Sequence, residues 1–186
     1  MLKAACLGAA LFLFAGLANA QVPTSGNIFF GYSFENATST AVNLSDVTRP
    51  NLQGWEGSLE GKVLPSLGIV ADFSGHYGSD QVVELTPDGP LVVSGSRHEE
   101  DVMFGPRFSF AVRKFRPFAE FEFGLGHVNT NGFGSDTSFA MALGGGLDYR
   151  IVRPLALRFQ GDYVSTRFFG TTQNNVRLST GIVFRF

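Results

Sequence analysis

Over the last eleven positions, V-R-L-S-T-G-I-V-F-R-F, apolar and polar residues alternate: Val176, Leu178, Thr180, Ile182, Phe184 and Phe186 fall on one side, and Arg177, Ser179 and Arg185 on the other. A period of two is the signature of a strand with unlike faces. The same period recurs at residues 27–35, 52–62, 66–76, 100–110, 117–128, 137–149 and 155–165. With 176–186 this predicts eight strands, each close to the roughly 9–11 residues that a tilted strand needs to cross a bilayer.

In the first stretch Ile28, Phe30, Tyr32 and Phe34 share a face. The second sets Trp55 and Leu59 against Glu56, Ser58 and Glu60, and the third sets Leu67, Ile69, Ala71 and Phe73 against Val70, Asp72, Ser74 and His76. In the fourth, Val102, Phe104, Phe108 and Phe110 oppose Met103, Arg107 and Ser109; in the fifth, Ala119, Phe121, Phe123 and Leu125 oppose Glu120, Glu122, Gly124 and Gly126. The sixth alternates Phe139, Met141, Leu143, Leu147 and Tyr149 with small residues and Asp148, and the seventh alternates Leu155, Leu157, Phe159 and Tyr163 with Arg158, Gln160 and Asp162. Pro106 has no N–H to give a ladder, so with Gly105 beside it the fourth strand is expected to bulge or distort locally.

The face that carries the charges decides between a soluble and a membrane barrel. Pairing these strands puts Glu56, Glu60, Asp72, Arg107, Glu120, Glu122, Asp148, Arg158, Asp162, Arg177 and Arg185 on one side of the wall and most of the phenylalanines on the other. That is lipid outside and a polar lumen. Eight strands enclose a space that side chains can fill. Charges of both signs buried there must pair or hold water, so an ion-pair network is expected instead of an open channel, with Arg158 and Arg177 meeting acids such as Glu120, Glu122, Asp148 and Asp162. Tyr32, Trp55, Tyr77, Tyr149 and Tyr163 lie toward strand ends, as an aromatic girdle at the headgroups would.

The start of the chain agrees with export. Lys3, the apolar run 4–17 and Ala18-Asn19-Ala20 read as a signal peptide over 1–20, leaving a barrel domain over 21–186. Cleavage removes Lys3 and no acid, so 14 basic residues become 13 against 16 acidic ones, a formal charge of −3 that gives nucleic acid nothing to bind. It also removes Cys6, the single cysteine, and with it any disulfide or thiol chemistry. Short links at 63–65, 112–116 and 150–154 alternate with longer ones at 36–51, 77–99, 129–136 and 166–175, which are predicted to be extracellular loops.

With these residues laid out, the chain resembles the small outer-membrane β-barrel family typified by the OmpA transmembrane domain. The resemblance rests on Gly144-Gly145-Gly146-Leu147-Asp148-Tyr149-Arg150, on Arg158 through Asp162-Tyr163, and on the closing stretch 175–186. It implies insertion by the outer-membrane assembly machinery, with Phe184 and Phe186 as the aromatic signal of the last strand, and a lumen plugged by ion pairs. The sequence ends at Phe186 without a peptidoglycan-binding domain, so tethering to the cell wall is not implied.

Some barrels of this size modify lipids, using a histidine and a serine on the lipid-facing wall. Here His127-Val128-Asn129 offers the histidine, with asparagine where a nucleophile is wanted, and reads as a polar rim. The run His98-Glu99-Glu100-Asp101 is the densest group of potential ligands and reads as an acidic loop end; the alternative is a site for hard cations that bridge lipopolysaccharide. His76 reads as a lumen or rim polar group. The triple glycine is no phosphate loop, because no helix start or lysine follows it.

The expectation is an all-β, eight-stranded, up-and-down antiparallel barrel in a bacterial outer membrane. Its partners would be lipid, lipopolysaccharide and the assembly machinery, with an extracellular ligand held by the loops, chiefly 77–99. It would be structural or surface-binding, without cofactor, metal or catalytic set; a narrow porin-like pore and, behind it, a lipid-modifying enzyme are the alternatives.

Overall fold

The computed structural model describes residues 25–36, 51–86, 89–131 and 134–186. The predicted signal segment 1–20 and most of the first long loop lie outside the described residues. Eight strands follow one another: β1 (Gly26–Asn36), β2 (Asn51–Leu64), β3 (Leu67–Thr86), β4 (Gly89–Ser109), β5 (Phe115–Thr130), β6 (Gly134–Arg150), β7 (Leu155–Thr166) and β8 (Gln173–Arg185). Each pairs antiparallel with the next, and β8 returns to β1 from Asn27↔Arg185 to Asn36↔Val176, so the sheet is a closed barrel. Closure leaves no strand edge in the wall, which is what a sheet in hydrocarbon requires. At the end where the short links lie, Gly26 and Phe186 exchange backbone hydrogen bonds of 3.0 and 3.2 Å.

Burial follows the two-residue period around the wall. Phe30, Phe73, Phe104, Phe121, Leu143, Phe159 and Leu178 are exposed outward, while Glu56, Asp72, Arg107, Glu122, Arg158 and Arg177 are buried inside. An exterior of this kind is unstable in water and stable in lipid. No helix among the described residues is long and apolar enough to cross a membrane.

Two expectations change. Residues 77–99 are not a loop: β3 and β4 continue as a ladder through Tyr77↔His98, Val82↔Val93 and Val83↔Val92 to Thr86↔Gly89. Since β2 pairs with β3 only as far as Gln53↔Tyr77, and β5 with β4 only as far as Thr130↔Arg97, the hairpin projects beyond its neighbours as a two-stranded ribbon. The predicted loop 129–136 likewise shrinks, because β5 runs to Thr130 and β6 starts at Gly134.

Of the bulge or local distortion expected at Pro106, the bulge is absent and a short gap in the β4–β5 pairing at Gly105 and Pro106 takes its place. β4 and β5 pair at Phe104↔Phe123 and again at Arg107↔Glu120, with two residues between on each strand and hence an unbroken register. Pro106 still faces Ile69 on the β3 side. Gly105 explains the tolerance, since a Cβ there would meet the Phe121 carbonyl oxygen; its absence lets the strands close up where the proline interrupts them. The one register shift in the β2–β3 pairing lies between Lys62 and Leu64, beside the short link.

Candidate functional site

The inward residues form three layers along the barrel. In the layer nearest the short links, Arg158 on β7 grips Asp148 on β6 with two bonds, Nε to Oδ1 at 2.7 Å and Nη2 to Oδ2 at 3.2 Å. Its guanidinium also lies over two rings, 4.5 Å from the Phe118 centroid and 4.9 Å from that of Phe29. Arg107 on β4 bonds Glu120 through Nε, approaches Glu60 at 3.4 Å through Nη1 and sits 4.7 Å from the same Phe118 ring. Arg185 reaches Asp148 at 3.0 Å from the rim. Charge that is paired and stacked in this way is satisfied within the barrel interior.

In the middle layer one cation faces several acids. Arg177 on β8 lies 3.4 Å from Glu56, 3.1 Å from Asp72 and 3.1 Å from Asp162. Gln160 donates to Glu56 at 2.9 Å and to Asp162 at 3.0 Å, and Ser179 donates to Glu56 at 2.5 Å. Glu122, in the same layer, has no hydrogen-bond partner on either carboxylate oxygen.

The third layer lies toward the projecting ribbon. Arg97 bonds Glu99 at 2.7 Å and Gln173 at 3.0 Å, and Glu35, His76 and Asp101 are buried beneath. Leu52 and Phe168 are fully buried at this level. Phe168 comes from a short 3-10 turn, Phe168–Gly170, inside the segment 166–175 that was predicted to be a loop.

All eleven lumen residues predicted from the sequence face inward, but the structure divides them. Glu60, Arg107, Glu120, Asp148, Arg158 and Arg185 make one layer and Glu56, Asp72, Glu122, Asp162 and Arg177 the next. Arg158 takes Asp148 and Arg177 takes Asp162, while Glu120 is held by Arg107. Tyr32, Trp55, Tyr77, Tyr149 and Tyr163 are exposed on the outer wall, as are Phe184 and Phe186. Trp55 stacks on Phe30, with ring centroids 6.4 Å apart, and Tyr149 packs on Phe115 at 5.2 Å.

Sequence reasoning missed Glu35, Arg97, Glu99 and Asp101, which complete the third layer, and Phe29 and Phe118, which stack on the arginines. Parity was the available signal. Arg97, Glu99 and Asp101 share the odd positions of Met103 and Arg107, so extending the period back through 97 splits the acidic run, with Glu99 and Asp101 inside and His98 and Glu100 outside. It is therefore neither a loop end nor one cluster of ligands. On β6, glycine makes room for these side chains: a Cβ on Gly144 would meet the Asp162 carboxylate, and one on Gly146 the Phe118 ring at 2.8 Å.

His127 lies on the outer wall, paired across strands with Glu100 on one side and Thr137 on the other; its Nδ1 is 2.7 Å from the Thr137 hydroxyl. Asn129, next on that face, is also exposed.

A closed eight-stranded antiparallel barrel with an apolar exterior and an ionic interior is an integral outer-membrane β-barrel, and its place is the bacterial outer membrane. Solved structures share this fold. Neisserial surface protein A superposes with a TM-score of 0.63 at 13% identity, over 87% of this chain and 97% of that one. Ail, the attachment invasion locus protein of Yersinia pestis, solved with the heparin analogue sucrose octasulfate, superposes with a TM-score of 0.54 at 17% identity, over 87% and 98%. No protein-family model matches the chain, and no curated protein matches it in sequence.

Proposed function

We propose that this chain is a closed, non-enzymatic barrel that works at the cell surface, using its membrane wall as an anchor and the β3–β4 ribbon with its neighbouring loops as the binding element. The observation that carries the reading is the filled lumen: Arg158, Arg107 and Arg177 are fully buried and bonded across the interior, which leaves the projecting hairpin as the part of the fold free to meet a partner. Ail, of the same fold, was solved with a sulfated sugar. The acidic balance of this chain argues for a different ligand, since a polyanion needs a basic surface. Tyr32, Trp55, Tyr77, Tyr149 and Tyr163 serve in this reading as headgroup anchors, and Phe184 and Phe186 as the mark read by the assembly machinery.

Orientation is the direct test. Cys6 is the single cysteine and lies in the predicted signal segment, so introduced cysteines report alone. On intact cells a membrane-impermeant maleimide should label Gly89→Cys at the ribbon and spare Lys114→Cys at the opposite end. The reverse pattern puts the ribbon in the periplasm and ends the surface reading.

A second reading, an enzyme acting on lipid, has one observation on its side: Glu100, His127 and Thr137 form a cross-strand row of acid, imidazole and hydroxyl on the outer wall. Hydrolysis of outer-membrane lipid that disappears in Thr137→Val would establish it, and purified protein that leaves such lipid intact would dismiss it.

A further inference from the structure

Three side chains from three strands converge in the ribbon-end layer of the lumen. Glu35 on β1, His76 on β3 and Asp101 on β4 are 0–1% exposed, and one ligand atom of each lies within 4.8 Å of the others. Each is tied back by its remaining polar atom. Asn175 donates to Glu35 Oε1 at 2.6 Å, His76 Nε2 bonds Ser33 Oγ at 2.8 Å, and Ser74 donates to Asp101 Oδ2 at 3.5 Å. Glu35 Oε2, His76 Nδ1 and Asp101 Oδ1 have no hydrogen-bond partner, and Nδ1 lies 3.4 Å from Oε2.

The hydroxyl chain behind His76 fixes its tautomer. Ser179 has one proton, and the Glu56 carboxylate 2.5 Å away, itself paired with Arg177, claims it. Ser33 Oγ, 2.9 Å from Ser179 Oγ, must then donate to Ser179, which leaves Ser33 as an acceptor for His76 Nε2–H. The Nδ1 lone pair is therefore bare and 3.4 Å from a Glu35 carboxylate oxygen, with an Asp101 oxygen in the same cluster. Three lone-pair atoms converging without a shared cation repel one another in a dry interior. The surroundings sharpen the need. Among the described residues, Glu35, Glu56, Asp72, Glu99, Asp101, Glu122 and Asp162 of the two upper layers are buried with Arg97 and Arg177.

We propose that Glu35, His76 and Asp101 form a binding site for one divalent first-row transition-metal ion, with zinc as the reference ion. One imidazole nitrogen with two carboxylates is a donor set for such ions, whereas calcium and magnesium take oxygen alone. Two ligands of one tetrahedral zinc at about 2.0–2.2 Å lie about 3.3–3.6 Å apart, a spacing that Nδ1 and Oε2 already have at 3.4 Å, and the widest pair, within 4.8 Å, closes by up to about 1.5 Å on binding. Ser33, Ser74 and Asn175 are the supporting shell that such sites carry. The bound ion staples β1, β3 and β4 together below the ribbon and offsets the acidic excess.

The experiment uses protein refolded in detergent with zinc or magnesium, freed of excess metal, with bound metal and Tm measured. The expected result is one zinc per barrel, a higher Tm with zinc than with magnesium, affinity lowered about 10–100-fold in Ser33→Ala, and a larger loss in His76→Gln. The double variant His98→Ala/His127→Ala keeps the zinc and, of the three histidines, retains only His76. X-ray absorption on that variant should show a single imidazole among oxygen donors, and it decides the matter even if His76→Gln fails to fold. No zinc uptake overturns the proposal, as does uptake that survives in folded His76→Gln, uptake lost in the double variant, or a metal shell without imidazole.

Discussion

Arg177 on the last strand lies 3.1 Å from Asp72 on the third, across the lumen between strands that are not neighbours in the wall. The same guanidinium holds Glu56 and Asp162. Removing it leaves three buried carboxylates without their cation, and breaking a buried pair from one side costs about 3–5 kcal/mol. Arg177→Met should therefore refold poorly or unfold at much lower denaturant, read from the heat-modifiable gel shift across a urea series. A midpoint equal to wild type would show that the middle layer does not depend on this residue.

Glu122 predicts the opposite sign. Its two oxygens are buried without hydrogen-bond partners in a layer already rich in acid. Relief of an unsatisfied buried polar group is worth about 1–3 kcal/mol, so Glu122→Met should move the urea midpoint upward. A fall would mean that the carboxylate contributes to holding Arg177.

The lipid face has its own test. Phe104 and Phe123 pair across β4 and β5 with ring centroids 4.5 Å apart, both exposed outward. An arginine at the bilayer midplane of such a wall costs about 2–4 kcal/mol, so Phe104→Arg should be destabilised by that order in lipid vesicles. Indifference to the substitution would contradict a membrane-embedded wall at this level.

Much of this fold was legible because alternation is local. The face of every residue in 117–128 or 155–165 follows from its parity. What was not legible depended on partners distant in sequence. Residues 77–99 hold many Gly, Ser, Asp and Pro and read as a loop, yet Val82↔Val93 and Val83↔Val92 are backbone partners in a continuous ladder. Pro106 was read as a register fault because the close approach at Gly105 arises only once β5 lies alongside. The convergence of Glu35, His76 and Asp101 was hidden in the same way, since three strands contribute one residue each.

Because, among the described residues, the ladder of the ribbon pairs only with itself beyond Tyr77 and beyond Ser96, which accepts from Asn131 N–H at 3.0 Å, the ribbon should be separable from the barrel. Deleting residues 81–94 and joining Asp80 to its cross-strand partner Gly95 through an Asn-Gly turn should leave the gel shift intact. Loss of the gel shift would make the ribbon part of the scaffold.

The central claim, a membrane barrel whose interior is closed by its own charges, is tested most directly by single-channel recording of the refolded chain in a planar bilayer beside Arg158→Ala. Arg158 joins Asp148 to the Phe29 and Phe118 rings in the layer that seals the lumen. A silent wild type with discrete conductance steps in the variant is the predicted result. Steady, discrete steps from the wild type itself would contradict the account and make the protein a pore.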